Sequence, residues 1–205
     1  GRVEYMTTTR EHTTPGPIPL EDFFSPPQRA GATISPDGTR MAFLAPWRNR
    51  LNVWVEDLEP GSEPRCVTAD ETRSVRNFRW TDDPRWLIYL QDADGDENWH
   101  IHRVDLENPD APAVDLTPFP GAMALPLREV KNGTTTIMLN NRTPTLLDVH
   151  DLDVTTGELS LIAENPGSVI SWLSSDTGDL YATSLTSDGD LELSRWDRGT
   201  EDLRP

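Results

Sequence analysis

The sequence contains a single cysteine, Cys66, so no disulfide can form within the chain and a reducing compartment is allowed. No apolar run is long enough for a transmembrane helix. No charged-then-apolar leader opens the sequence, so we expect no signal peptide. These features favour a cytoplasmic protein without a membrane partner, and no residue pattern leads us to expect a cofactor.

Basic residues are also few. The chain has 18 Lys and Arg against 35 Asp and Glu, a formal net charge of -17. Such an acidic chain repels phosphate backbones, which argues against nucleic-acid binding. We interpret the charge as a source of solubility, although adaptation to high salt would give a similar composition.

The stretch 74–118 shows how the chain is organised. Four short runs rich in Val, Ile, Trp and Tyr are separated by clusters of Gly, Pro, Asp and Asn. This alternation is typical of an antiparallel meander of four strands. The predicted strands are 74–80, 85–90, 99–106 and 113–117.

Three further segments repeat this pattern. The ends of the third strands fall at Leu58, Leu106, Leu152 and Trp196, in steps of 48, 46 and 44 residues. A period in the forties with four strands per repeat predicts an all-β β-propeller. A β-sandwich also has many short strands, but it does not repeat every fourth strand. The four predicted blades are 31–68, 74–118, 125–163 and 168–205.

Both ends of the chain carry further expectations. The first residues, 1–17, are predicted to be a non-native extension before Met6 followed by a disordered lead. The next segment, 18–30, is predicted to contain a short helical turn at 18–24. Because 200–205 would be the last strand, we expect a truncated fourth blade in an incomplete ring, with Leu191–Trp196 as an unpaired outer strand. Such an open edge favours self-association.

Several motifs resemble prolyl oligopeptidase family serine peptidases, most closely the acylaminoacyl-peptidase and dipeptidyl-peptidase-like branch. They are the lead 18–24 (Ile-Pro-Leu-Glu-Asp-Phe-Phe), the segment 35–43 with its Ser-Pro-Asp-Gly turn, and 95–106, which begins Gly-Asp-Glu-Asn-Trp-His. The resemblance runs from Ile18 to the end of the chain. The Ser-Pro-Asp-Gly turn occurs in many propellers, whereas the Gly-Asp-Glu-Asn-Trp-His stretch is more specific.

The resemblance implies a propeller that covers a catalytic α/β-hydrolase domain of the same polypeptide and limits entry to short peptides. That hydrolase would hold a Ser, Asp, His triad with its serine on a Gly-x-Ser-x-Gly elbow. This sequence has no such elbow: Gly157 to Ser160 has the wrong spacing, and Gly167-Ser168 lies on a predicted turn. We therefore expect no catalytic residue in this chain.

The turn of the second repeat holds the candidate site residues. Asp92, Asp94 and Asp96 have the spacing of a calcium loop, but Glu97 and Arg103 stand where an EF-hand needs Gly and Glu. We therefore favour a polar hairpin turn, with a looser metal loop as a weak alternative. Glu97 and Asn98 are candidates to face substrate, because propeller carboxylates in some members of the family hold a peptide's free amino end. The sequence has no paired glutamates in a matching motif.

Two further groups have a functional and a structural interpretation. His100 and His102 lie two apart on a predicted strand and point to one face, which could supply half a zinc site. No third ligand is evident, so a hydrogen-bonded strand pair is favoured. Four tryptophans could stack on a ligand, but packing between blades is the favoured interpretation; they are Trp80, Trp86, Trp99 and Trp172.

Two functions remain open at this point. The first is the non-catalytic propeller part of a cytoplasmic serine peptidase that cleaves short peptides. The second is a stand-alone propeller module that binds a protein partner.

Overall fold

The computed structural model describes residues 29–93 and 95–204, which form sixteen strands in four antiparallel sheets. No helix occurs in these residues, and hence none that could cross a membrane. Each sheet has four strands paired in chain order, the meander of a propeller blade. The predicted all-β propeller fold is confirmed for this part of the chain. We number the sheets blades 1 to 4.

The strand bounds follow the repeat. Blades 1 and 2 contain β1 (Ala30–Ile34), β2 (Arg40–Trp47), β3 (Arg50–Asp57), β4 (Arg65–Cys66), β5 (Asn77–Trp80), β6 (Trp86–Asp92), β7 (Trp99–Asp105) and β8 (Val114–Asp115). Blades 3 and 4 contain β9 (Ala124–Pro126), β10 (Thr134–Thr143), β11 (Leu146–Asp153), β12 (Leu159–Ala163), β13 (Val169–Ser174), β14 (Leu180–Leu185), β15 (Leu191–Asp197) and β16 (Asp202–Arg204).

Local sequence closes the turn between the first two strands of a blade. In blade 1, the N–H of Gly38 donates to the carbonyl oxygen of Ser35 at 2.9 Å, and Gly38 has a φ of 73°. Glycine adopts this left-handed conformation without strain from a Cβ atom. The same bond recurs in blade 4 from Gly178 to Ser175, at 3.0 Å. The regularly spaced glycines of the sequence therefore mark equivalent hairpin turns in different blades.

Alternation along each strand directs apolar side chains to both neighbouring blades. In β10, Ile137 and Leu139 are fully buried in a cluster with residues of blade 2. Met138, between them, packs on the opposite side against the cluster shared with blade 4. Successive side chains of a strand point to opposite faces, so one strand serves two interfaces. The core is therefore divided into three clusters, one between each pair of consecutive blades.

Polar contacts add to these apolar seams. Arg40 Nη2 of blade 1 donates to the carbonyl oxygen of Pro84 in blade 2, at 2.6 Å. Arg103 Nη1 of blade 2 donates to the carbonyl oxygens of Val154, at 2.7 Å, and Thr155 in blade 3. The arginine side chains satisfy carbonyl groups at turns, where the strand ladder has ended.

The last blade differs from one expectation. Residues 202–204 form β16, which pairs with the end of β15 through Arg195↔Arg204, Trp196↔Leu203 and Asp197↔Asp202. The expectation that Leu191–Trp196 is an unpaired outer strand is therefore wrong for its last two residues. The strand is short, but the outer strands of blades 1 and 2 have only two residues each. Its start is set by the turn at 198–201, which the sequence pattern did not resolve.

Some expectations lie outside the described residues. These are the lead at 1–17, the helical turn at 18–24, Asp94 and Pro205.

Trp172 tests the seam between blades 3 and 4. Its side chain is 1% exposed, its ring centroid lies 6.0 Å from that of Trp196, and its Nε1 donates to the carbonyl oxygen of Leu147 at 2.8 Å. We expect Trp172→Ala to lower the free energy of unfolding by about 3–5 kcal/mol, because it leaves a large cavity. Ile170→Ala, on the same strand but 59% exposed, is the matched control and should cost less than about 1 kcal/mol. Urea unfolding measures both, and equal losses would contradict this account.

Candidate functional site

The candidate site residues lie on the turn that joins β6 to β7. The two strands pair from Trp86↔Asp105 to Asp92↔Trp99, so the turn begins after Asp92 and ends before Trp99. Gly95 and Glu97 both have positive φ, 71° and 59°. The second value is uncommon for a residue with a side chain and marks a tightly determined turn.

Asp92, at the end of β6, and Asp96, within the turn, both accept hydrogen bonds from backbone N–H groups of the turn. Asp92 Oδ2 accepts the N–H of Glu97 at 3.2 Å, and the Asp92 side chain, only 8% exposed, also lies 3.8 Å from Arg73 Nη1. Asp96 accepts the side chain and the backbone N–H of Asn98 at 2.9 and 3.0 Å, and these bonds lower the pKa of its carboxyl. Both carboxylates are thus used within the hairpin.

The metal-loop interpretation of this turn stays a prediction. Within residues 29–93 and 95–204, no three His, Cys, Asp or Glu side chains are grouped as a metal ion would need. Asp94, the middle residue of the predicted set, lies outside the described part of the chain.

Glu97 and Asn98 differ in their availability. The Asn98 amide is half-buried and held by Asp96. Glu97 is exposed, and the structure shows no hydrogen bond or ion pair from its carboxylate to any described residue. Of the two predicted substrate-facing residues, Glu97 is therefore the one whose side chain is available to a ligand.

The two histidines lie on one face of β7, as predicted from their spacing. His100 Nδ1 is 2.7 Å from Asp115 Oδ2, on the neighbouring strand β8. The ring of His102 stacks on Tyr89 with centroids 5.1 Å apart, and the two histidine rings are 6.4 Å apart. Burial lowers the pKa of His102, and the neighbouring His100 lowers it further. Asp115 and Asp70 raise this pKa but do not outweigh the effect of burial.

Three of the four tryptophans pack between blades. Trp172 belongs to the cluster between blades 3 and 4, and Trp80 and Trp99 pack against the edges of the other two clusters. Trp86 instead lies under two guanidinium groups, those of Arg85 and Arg103, at 4.3 and 4.2 Å from its ring centroid.

Sequence reasoning missed a cleft between the innermost strands of blades 2 and 3. Its volume is about 240 Å³, and Arg79 at its wall lies 3.3 Å from the carboxylate of Glu129. The apolar side chains that line it include Phe78, Ile88, Leu90, Ile101, Leu125 and Met138. A cleft of this size and lining can hold an apolar side chain of a ligand. No sequence signal marks it, because the residues of blades 2 and 3 that line it come together only when the blades dock.

Comparisons with known proteins can now be set against this geometry. No protein-family model matches the sequence. Dipeptidyl aminopeptidase BIII of Pseudoxanthomonas mexicana is 32% identical over 181 residues, which cover 87% of this chain and 26% of that protein. Dipeptidyl peptidase family member 6 of Caenorhabditis elegans is 27% identical over 182 residues, 85% of this chain and 24% of that protein. The chain thus spans about a quarter of the length of these relatives.

Solved structures show the same fold. A puromycin-hydrolyzing peptidase of Mycobacterium tuberculosis has a TM-score of 0.59 at 20% identity, over 86% of this chain and 28% of that one. A structure from an analysis of two prolyl endopeptidases has a TM-score of 0.57 at 15% identity, over 82% and 26%.

The four blades and these likenesses define the class: a β-propeller of the kind associated with peptidases. More particularly, the chain matches the N-terminal propeller of prolyl oligopeptidase-family peptidases. The resemblance seen in the sequence is confirmed.

The buried histidines predict how stability depends on pH. Burial lowers the pKa of His102 and of His150, whose usual value is near 6.5. The folded state therefore prefers both rings neutral. Its stability is full above pH 6.5 and is lost as the pH falls towards the lowered values. We expect His102→Phe, which keeps a ring on Tyr89, to weaken this dependence between pH 7 and 5.

Urea unfolding at a series of pH values measures this effect. His150→Phe should remove a separate part of the pH dependence. An unchanged slope in both variants would contradict the assignment.

Proposed function

We propose that this chain is the non-catalytic propeller part of a cytoplasmic serine peptidase that cleaves short peptides. In this proposal the propeller gates access to a catalytic α/β-hydrolase domain of the same polypeptide. The observation that carries the proposal is the 32% identity to a dipeptidyl aminopeptidase of which the chain spans only about a quarter. A cytoplasmic setting is compatible with Cys66, a half-buried free thiol whose pKa is raised by burial.

The rigidity of the blades supports a gating role. Three buried clusters and the contacts from Arg40 and Arg103 hold consecutive blades together. A propeller held in this way can exclude large substrates by its shape, because each blade is fixed by its neighbours rather than by a mobile loop. Short peptides would pass where folded proteins do not.

Removal of this part of the propeller tests the gate. In the full-length polypeptide, we expect cleavage of short peptides and little cleavage of long unfolded peptides. Deletion of residues 1–205 should raise the ratio of long-peptide to short-peptide cleavage by about tenfold or more, because the steric barrier is gone. Rates are normalised to active sites titrated with a serine-directed phosphonate, so unfolded material does not count.

The isolated chain is the control and should show no phosphonate-sensitive hydrolysis of acyl peptides. An unchanged length preference after deletion would contradict gating, and phosphonate-sensitive turnover by the isolated chain would contradict its non-catalytic role.

Glu97 supports a more specific part of the proposal. Its carboxylate is exposed on a turn whose backbone is fixed by Asp92, so a charged group is presented with little freedom of the main chain. A carboxylate in this position can bind the ammonium group of a peptide's free amino end. This interaction would select peptides by their amino end, in keeping with relatives named for the release of dipeptides.

Charge removal at Glu97 tests that interaction. In the full-length polypeptide, Glu97→Gln should raise KM about tenfold for peptides with a free amino end and leave kcat little changed, because one charge-assisted bond is lost. The KM of N-acetylated peptides should not change. Glu158→Gln is the matched control. Glu158 is also exposed, but it lies on the β11–β12 turn of blade 3, at the end of the blade opposite to the β6–β7 turn. Equal effects of the two variants would refute the role of Glu97.

A further inference from the structure

A second cavity lies beside the apolar cleft between blades 2 and 3. Its volume is about 370 Å³, and its lining comes from Arg79 of blade 2, residues 127–129 and Lys131 of blade 3, and residues 174–176 of blade 4. It is called here the cationic cavity. Arg79 lines both spaces, and residues 125–126 of the cleft are followed directly by 127–129 of the cationic cavity. The two spaces therefore adjoin along one stretch of chain.

Both spaces lie at seams between described blades. Blade 2 shares buried clusters with blades 1 and 3, and blade 3 shares buried clusters with blades 2 and 4. The cleft is at the seam of blades 2 and 3, and the cationic cavity is where blade 3 meets blades 2 and 4. A further blade would not lie between these walls.

The cationic cavity gathers basic side chains in a chain of net charge -17. Arg79 Nη1 lies 3.3 Å from Glu129 Oε1, so this pair is neutralised. The guanidinium of Arg128 and the ammonium of Lys131 have no hydrogen bond or ion pair with any described residue. Asp176 is the other carboxylate in the lining. The lining thus carries three cations against two carboxylates, and two of the cations are available to a ligand.

The local backbone explains why Arg128 stands at this cavity. The N–H groups of Leu127 and Arg128 both donate to the carbonyl oxygen of Thr136, at 2.8 and 3.3 Å. Two residues opposite one are the pattern of a β-bulge, which changes the direction of a side chain at the end of a strand. The guanidinium reaches Gly178 of blade 4, where an added Cβ would lie 3.0 Å from Arg128 Nη1. Glycine at this position therefore leaves the room that the arginine occupies.

We propose that the cleft and the cationic cavity together bind the carboxyl-terminal residue of a peptide when that residue is apolar. Its side chain would enter the cleft, and its carboxylate would pair with Arg128 and Lys131. The cleft volume of about 240 Å³ lies below the range of about 300–1,000 Å³ that is typical for drug-sized ligands. The cleft therefore fits one side chain better than a longer apolar group.

The charge of the site narrows the class of ligand. A free amino acid carries an ammonium group close to its carboxylate, and Arg128 and Lys131 would repel that group. In a peptide the same nitrogen belongs to an uncharged amide, so a peptide end is the better ligand. The inference does not rest on the peptidase assignment, because the site consists of residues of this chain and binding requires no turnover.

Calorimetric titration with defined peptides tests the proposal. The full-length polypeptide is first treated with a serine-directed phosphonate, so that a catalytic serine cannot consume the peptide. We expect N-acetyl-Ala-Ala-Leu with a free carboxylate to bind with a Kd of about 1 mM or tighter. Its carboxyl-terminal amide should bind about tenfold more weakly, because the charged pair is lost. N-acetyl-Ala-Ala-Gly should also bind about tenfold more weakly, because it leaves the cleft empty. The acetyl group removes the amino-end charge, so Glu97 does not contribute.

Charge removal at Arg128 tests the role of the cationic cavity. Arg128→Gln should weaken binding of the free carboxylate about tenfold, to the level of the amide, and higher salt should weaken it in the unchanged protein. Arg50→Gln is the matched control and should bind as the unchanged protein does. Arg50 is exposed on β3 of blade 1, and its guanidinium also has no ion pair with a described residue. Circular dichroism shows that both variants are folded.

Three outcomes would overturn the proposal. They are no binding of the free carboxylate at about 10 mM peptide, equal binding of the carboxylate and the amide, and equal effects of Arg128→Gln and Arg50→Gln. A polypeptide that does not react with the phosphonate would contradict the peptidase assignment instead, and the binding result would stand.

Discussion

The structure depends on the packing of each blade against the next. A four-stranded sheet has two faces. When both faces carry apolar residues, each must be buried against another element of the structure. Here the alternation of β10 sends Ile137 to one neighbour and Met138 to the other. The strand order, the hairpin turns and the arginine contacts all serve this arrangement. The exposed leucines of blade 4 lie on a face that no described residue covers.

The same constraint explains which features the sequence revealed. The blades could be predicted from the sequence, because turn residues such as Gly38 and Gly178 recur at regular intervals together with the strands that they separate. The shared face of His100 and His102 followed from the two-residue repeat of a strand. These features depend on residues close in the chain, and local chemistry determines them.

Features that depend on distant residues were not predictable in this way. Arg103 donates to the carbonyl oxygen of Val154 across 51 positions, and the cleft beside Phe78 forms only where blades 2 and 3 meet. The partner of His100 is Asp115, which reaches it through the pairing of β7 and β8. The last strand predicted at 200–205 forms as β16 at Asp202–Arg204, but its pairing with the end of β15 was not predicted. The cleft and the arginine contacts between blades therefore depend on blade docking.

The division of the core into three clusters has a consequence for cooperativity. Each cluster joins only two consecutive blades, so the described part of the chain behaves as a row of units coupled to their nearest neighbours. Disruption of one seam leaves intact sheets on both sides, and partly unfolded states with whole blades detached become accessible. Among the described residues, blades 1 and 4 each share a cluster with one neighbouring blade, whereas blades 2 and 3 each share two. Within the described residues, structure can therefore be lost in blade-sized steps.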